Sequence, residues 1–150
     1  MRWSEFEELR PDLAGAGRQL FTQFGIGLAF LATVRPDGGP RLHPMCPMLV
    51  EGGLFAFIVP GPKQRDLLRD GRYAMHAFTP VDVDDEFAVM GTVASADDPA
   101  LRERLVAAYH TPVEDSWIAF DFDVQSVLLS RYRSRGEWPP TYTVWKEARS

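Results

Sequence analysis

Leu13, Leu20, Phe21 and Phe24 recur at roughly helical spacing near the start of the chain. Asp12 is placed to cap the helix they predict, and Gly25 and Gly27 stop it. A shorter helix precedes it, capped by Ser4, running to Leu9 and ended by Pro11. From Gly27 the period changes. GLAFLATV, residues 27–34, reads as a buried strand. Arg35-Pro36-Asp37-Gly38-Gly39 is the strongest hairpin signal, because proline sets the turn and Asp-Gly tolerates positive φ. A second run, Pro40 to Val50, ends at the turn Glu51-Gly52-Gly53. Leu54 to Val59 is the third strand, broken by Pro60-Gly61-Pro62. Lys63 to Asp70 predicts a short helix, Tyr73 to Phe78 a strand, and Phe87 to Ala94 another. Asp98 caps a helix with Pro99 at its first position, striped by Leu101, Leu105 and Tyr109. Trp117 to Tyr132 suits one long strand, and Tyr142 to Trp145 a last one.

Tight hairpins imply antiparallel pairing. Strands dominate and the helices are short. The expected class is mainly β (α+β), an antiparallel sheet or barrel with helices packed at its ends. The expected division is an N-terminal helical segment over 1–25 and a barrel over 26–147, within one domain spanning 1–150.

Composition narrows the chemistry. At 150 residues, with 45% apolar and 25% charged positions, the chain is one globular domain able to hold a core without disulfides. A net charge of −5 argues against nucleic-acid binding and against docking on anionic membranes. The single cysteine, Cys46, rules out an internal disulfide framework and fits a reducing, cytoplasmic compartment. No apolar run approaches the ~20 residues needed to span a bilayer. The acidic N-terminus lacks the regions of a signal peptide. His43, His76 and His110 are scattered without metal-ligand spacing, so no metal is expected. Gly15-Ala16-Gly17 starts a dinucleotide fingerprint, but Leu20 holds the third glycine's place and no strand precedes it. Asp82, Asp84, Asp85 and Glu86 read as a solvated loop, and Cys46 as a core residue.

Two features carry more. His43-Pro44-Met45-Cys46-Pro47 removes two ladder donors from one strand, which belongs on a sheet edge or at a bulge. Its backbone is free to meet a ligand, or the prolines simply guard the edge. Gly61-Pro62-Lys63-Gln64-Arg65 lies at a strand-to-helix junction, where free N–H groups, Lys63, Arg65 and Arg69 could hold a phosphate. The alternative there is a solvated helix face with a Lys63–Asp66 pair.

The two features follow one another in order. Residues 28–78, LAFLATVRPDGGPRLHPMCPMLVEGGLFAFIVPGPKQRDLLRDGRYAMHAF, resemble the strand–RPDG–strand–G–strand–K–helix–strand core of the pyridoxamine 5'-phosphate oxidase-like, FMN-binding split barrels. SVLLSRYR and TVWKEAR resemble the family's closing strands. The resemblance implies a six-stranded split barrel that forms a homodimer, with cofactors in grooves between the subunits. It implies that Arg41, Leu42, His43, Pro44 and Met45 lie near the flavin ring and ribityl chain, and that Phe57, Ile58 and Val59 line the next strand. It places Lys63 on the phosphate and Trp145 against the ring from the second subunit; a core role for Trp145 is equally open. The sequence departs from the oxidase itself where Pro62 precedes Lys63 in place of an arginine, with Arg65 the candidate replacement charge. The oxidase's C-terminal Arg/His substrate motif is not recognisable in TYTVWKEARS.

The leading expectation is a flavin-dependent oxidoreductase that binds FMN as a homodimer and acts on a small-molecule substrate. The alternatives are a deazaflavin-dependent reductase, a non-catalytic flavin or haem module with His43, His76 or His110 as axial ligand, and a structural dimer. No catalytic acid or base is identified. Four tryptophans, ten phenylalanines and five methionines support an interface independently. Substrate choice is expected to lie in the loops 79–86 and 110–115.

Overall fold

A computed structural model describes residues 1–148. Its elements are α1 (Trp3–Leu9), α2 (Pro11–Phe21), β1 (Ala29–Val34), β2 (Pro40–Met45), β3 (Met48–Val50), β4 (Gly53–Ile58), α3 (Pro62–Arg69), β5 (Arg72–Ala77), β6 (Glu86–Ser95), α4 (Pro99–Ala108), β7 (Ile118–Phe122), β8 (Ser126–Arg131) and β9 (Thr141–Lys146). The β1–β2 turn forms as its sequence requires. Gly38 takes φ +83°, and Asp37 Oδ1 accepts from Gly39 N at 2.9 Å.

Every strand pairing is antiparallel, and the path runs β2-β1-β5-β6-β7-β4-β3, with β8 and β9 branching from β6. β6 is where the sheet splits. Along one edge it pairs with β5. Along the other, Glu86–Met90 pairs with β8 and Val93–Ser95 with β7. Residues 123–125 cross at the division: Asp123 N donates to Thr92 O at 2.8 Å and Gln125 N to Met90 O at 2.9 Å. A Cβ on Gly91 would stand 1.9 Å from the Asp123 carbonyl oxygen, so only glycine admits the crossing. β6 therefore belongs to a larger sheet, β2-β1-β5-β6-β8-β9, and to a smaller one, β3-β4-β7-β6. The opposite corner is Cys46-Pro47, where the chain leaves β1 as its neighbour and joins β4.

The barrel core draws on both sheets, with Leu31, Met75, Phe87 and Val89 meeting Leu54, Ile58, Phe120 and Phe122. α1 and α2 pack into this core. Phe21 meets Phe87 edge-on at 5.4 Å, and Trp3 stands 6.4 Å from the same ring. β4 is buried on both faces, because α4 covers Phe55 and Phe57 from outside, through Leu105 and Tyr109.

The split barrel with short helices stands as expected. Several boundaries do not. Pro11 opens α2 rather than ending α1, since proline's missing N–H costs nothing at a first helical position; the cap is Arg10, not Asp12. Ser4 lies inside α1, whose cap is Arg2. The run Pro40–Val50 is two strands, because Pro47 has no N–H to continue the ladder. Trp117–Tyr132 is also two, divided at the Gly91 crossing. With those two runs broken, the seven strands read from the pattern become nine among the described residues. The TVWKEAR segment is described through Ala148, and Arg149 lies outside the described residues. No helix among the described residues is long and apolar enough to cross a membrane.

Gly91→Ala is expected to destabilise the protein by about 1–3 kcal/mol through overpacking at the crossing. Thermal unfolding measures it, and an unchanged melting temperature would remove the role assigned to this contact.

Candidate functional site

Strand alternation divides the β2 residues between two surfaces. Pro40, Leu42 and Pro44 face outward with Phe30 and Ala32 of β1. Arg41, His43 and Met45 face the other way, toward α3. Met45 is buried, His43 and Arg41 are half-buried, and Leu42 is 66% exposed. Of the expected site residues on this strand, three therefore meet the α3 end of the barrel and two lie on its outer face.

Asp66 organises that end. It is buried on α3, and its carboxylate accepts from Arg41 Nε at 2.7 Å, Thr33 Oγ1 at 2.9 Å and Arg69 Nη2 at 3.1 Å. Arg69 also donates to the Val34 carbonyl. Burial alone would raise the Asp66 pKa. The hydrogen bonds from Arg41, Thr33 and Arg69 outweigh it and hold the carboxyl below its ordinary 3.8. The alternative Lys63–Asp66 pair does not form among the described residues; Asp66 is engaged instead by these three donors.

Lys63 is left half-buried on the first turn of α3, with no ion pair among the described residues. Burial lowers its pKa, opposed by the neighbouring Cys46. Arg65 is exposed on the same turn. Gln64, between them, is buried and donates to Ile58 O at 2.9 Å and Ser116 O at 3.3 Å, tying α3 to the end of β4 and to the 110–117 loop. His43 is pushed to a lower pKa by burial and by Lys63 and Arg41, which favours the neutral imidazole. Its Nε2 is buried and has no partner. Cys46 is half-buried beside Lys63 and the Tyr109 hydroxyl; burial pushes its thiol up, and Tyr109 is pushed up to about 12 by burial and by Cys46. Tyr109 also borders a cleft of about 220 Å³ between α2, β3 and α4, lined by Arg18, Ile26, Pro47, Met48 and His110.

The other expected residues lie elsewhere. Phe57 is buried under α4, 5.3 Å from the Tyr109 ring, with the Arg102 guanidinium 5.3 Å above it. Ile58 is in the barrel core, and Val59 is 43% exposed at the strand end. Trp145 packs on Phe6 at 4.9 Å and joins its own chain's core. Asp66, Gln64 and Tyr109 were not anticipated as site residues. Tyr109 reads in sequence as part of a helix stripe, and Gln64 carries no motif. Asp66 showed only as a helical neighbour of Lys63. No group of three or more His, Cys, Asp or Glu among the described residues could hold a metal ion.

This architecture defines a class. The structural neighbours are pyridoxamine 5'-phosphate oxidase-like split-barrel proteins. A heme binding protein from Mycobacterium smegmatis superposes with a TM-score of 0.65 at 16% identity, over 87% of this chain and 57% of that one. A NimC/NimA family protein from Clostridium acetobutylicum gives 0.64 at 17% identity, over 89% and 94% of the two chains. A Clostridium acetobutylicum protein related to general stress protein 26, of the pyridoxinephosphate oxidase family, gives 0.63 at 13% identity, over 95% of both. The chain thus spans little over half the length of the mycobacterial protein. No protein-family model and no curated protein matches the sequence. At these identities the likeness concerns the fold.

Asp66→Asn is expected to cost about 1.5–3 kcal/mol at neutral pH, the range for hydrogen bonds to a charged group. Because the folded pKa lies below the unfolded one, this contribution is complete above pH ~4 and is lost as pH falls through the folded value. Denaturant unfolding of both proteins from pH 7 to 3 checks it. A gap that stays constant through acid would refute the ionised clamp.

Proposed function

We propose that this protein is a flavin-dependent oxidoreductase that binds FMN, or a deazaflavin, through its phosphate at the start of α3, and that it works as a homodimer on a small-molecule substrate. Lys63 carries the reading. A half-buried ammonium without an ion pair is costly, and an anion at the same helix N-terminus offsets that cost. Arg65 adds charge on the same turn, while Asp66 occupies Arg41 Nε and Arg69. The buried Nε2 of His43 offers a hydrogen bond to a polar group of the cofactor. When bound, the flavin supplies the redox chemistry. The chain's part is to hold the phosphate at Lys63 and to fix the cofactor along β2, whose outer backbone edge is unpaired.

His43 also favours a second reading. A neutral imidazole with a buried, unpartnered Nε2 is suited to be an axial haem ligand, in a binding module without turnover.

Parallel titration with FMN, a deazaflavin and haem separates these readings. FMN or deazaflavin binding at micromolar Kd or better is expected (about −8 kcal/mol). Lys63→Ala should weaken it by about 1.5–3 kcal/mol. Haem binding lost in His43→Ala, with no flavin binding, would replace the first reading by the second; affinity unchanged in Lys63→Ala would remove the phosphate site.

The homodimer rests on the outer face of the larger sheet. Leu42, Phe30, Met90 and Val144 are exposed there, one from each of four strands, with Ala74, Ala88 and Leu128 between them. A broad apolar face of this kind suits a homodimer interface. Sedimentation should show a dimer for the native protein and a monomer for Phe30→Asp/Val144→Asp. A native monomer would refute it.

A further inference from the structure

We infer that subunit pairing takes up protons, through His76 and Glu86 at the centre of the dimer face; this rests on the homodimer reading above. Leu42, Phe30, Met90 and Val144 are exposed on the outer face of the larger sheet, on β2, β1, β6 and β9. β5 and β6 are the two central strands of that sheet. A second copy that covers all four apolar side chains therefore covers the centre too, in whichever sense its strands run. His76 stands there on β5, in register with Phe30 and Ala88. Glu86 lies two residues from Ala88 on β6, on the same side of the sheet by alternation. In the single chain the His76 side chain is 40% exposed and that of Glu86 41%.

The pair is arranged to hold one proton. His76 Nδ1 stands 2.6 Å from Ala77 O. A carbonyl oxygen only accepts, so Nδ1 carries a hydrogen, and Nε2 is the nitrogen that gains and loses the second one. Nε2 is 3.9 Å from Glu86 Oε1. In the neutral ring a lone pair at Nε2 faces the carboxylate; in the protonated ring an N–H faces it. The other neighbours do not supply Glu86 with a counter-charge. β1 presents Phe30, and the chain after β5 presents Phe78, stacked on Phe30 at 4.5 Å. Arg72, four residues back on the same side of β5, is held by Asp70. Beyond Glu86, Tyr132 lies within electrostatic reach of Glu86, Asp84 and Tyr142, and Asp85 takes Arg131. Among the described residues, His76 is the one ion-pair partner of Glu86.

Water makes that proton optional in the single chain. Both side chains reach solvent, and an exposed pair contributes little there. A partner sheet removes the water. An ionised Glu86 without a counter-charge is then costly to cover, and a proton on His76 supplies the counter-charge. Pairing therefore draws in one proton per subunit, two per two-fold dimer. By linkage, the dimer is tightest below the range in which an imidazole titrates and loosens as pH rises through it.

Sedimentation equilibrium of the native protein between pH 5.5 and 8.5 tests this. Each proton taken up changes the dimer Kd by up to about tenfold per pH unit, so Kd is expected to rise at least about tenfold from pH 6 to pH 8. His76→Gln, which keeps a polar side chain but cannot be charged, should dimerise weakly and without that rise. Glu86→Gln, which removes the anion, should stay dimeric at pH 8 and also lose the rise. A native Kd that does not change with pH, or a rise that survives in either variant, overturns the inference while leaving the dimer intact. A native monomer at every pH shows instead that the homodimer reading has failed, and the inference falls with it.

Discussion

The fold depends on one strand being shared by two sheets. β6 gives one edge to β5 over Ala88–Thr92 and divides the other between β8 and β7. That division is possible only where two backbones approach within a distance that no side chain permits, at Gly91 and Asp123. The crossing turns what would be one long strand into β7 and β8 and sends them to different sheets. With the second corner at Cys46-Pro47, it wraps both sheets around Phe87, Phe120 and Phe122.

The same corner lies at the candidate site. Where β2 turns away at Cys46, it leaves an unpaired edge beside the start of α3. Asp66 fixes the two elements to each other by drawing Arg41 from β2, Thr33 from β1 and Arg69 from its own helix onto one buried carboxylate. Saturating Asp66 with arginine leaves the nearby lysine without a counter-ion. The structural clamp and the candidate anion site are thus two consequences of one arrangement of charge.

Alternation along β2 gives the strand two surfaces. Arg41 and His43 serve the interior end, whereas Leu42 and Pro44 belong to the apolar outer face. The proposed cofactor site and the proposed dimer face thus draw on opposite sides of one strand.

The sequence by itself determined the local elements and the class of fold. Proline at the start of α4, Asp-Gly in the β1–β2 turn and alternation in the strands act through neighbours in the chain, and those elements formed within a few residues of expectation. The strand-to-helix junction at Lys63 was legible for the same reason: a strand end, a helix start and a lysine are all local. Tertiary structure decided what pairs with what. Asp66 stands three residues from Lys63 on a helix, a spacing that suggests an ion pair, but Thr33 and Arg41 arrive from distant strands and take the carboxylate. Trp145 and Trp138 are alike as letters; the first lies on β9 and packs on Phe6 of α1, whereas the second lies in the connection before β9 and is exposed. Gly91 carries no local signal at all, because its constraint is a carbonyl oxygen thirty-two residues away.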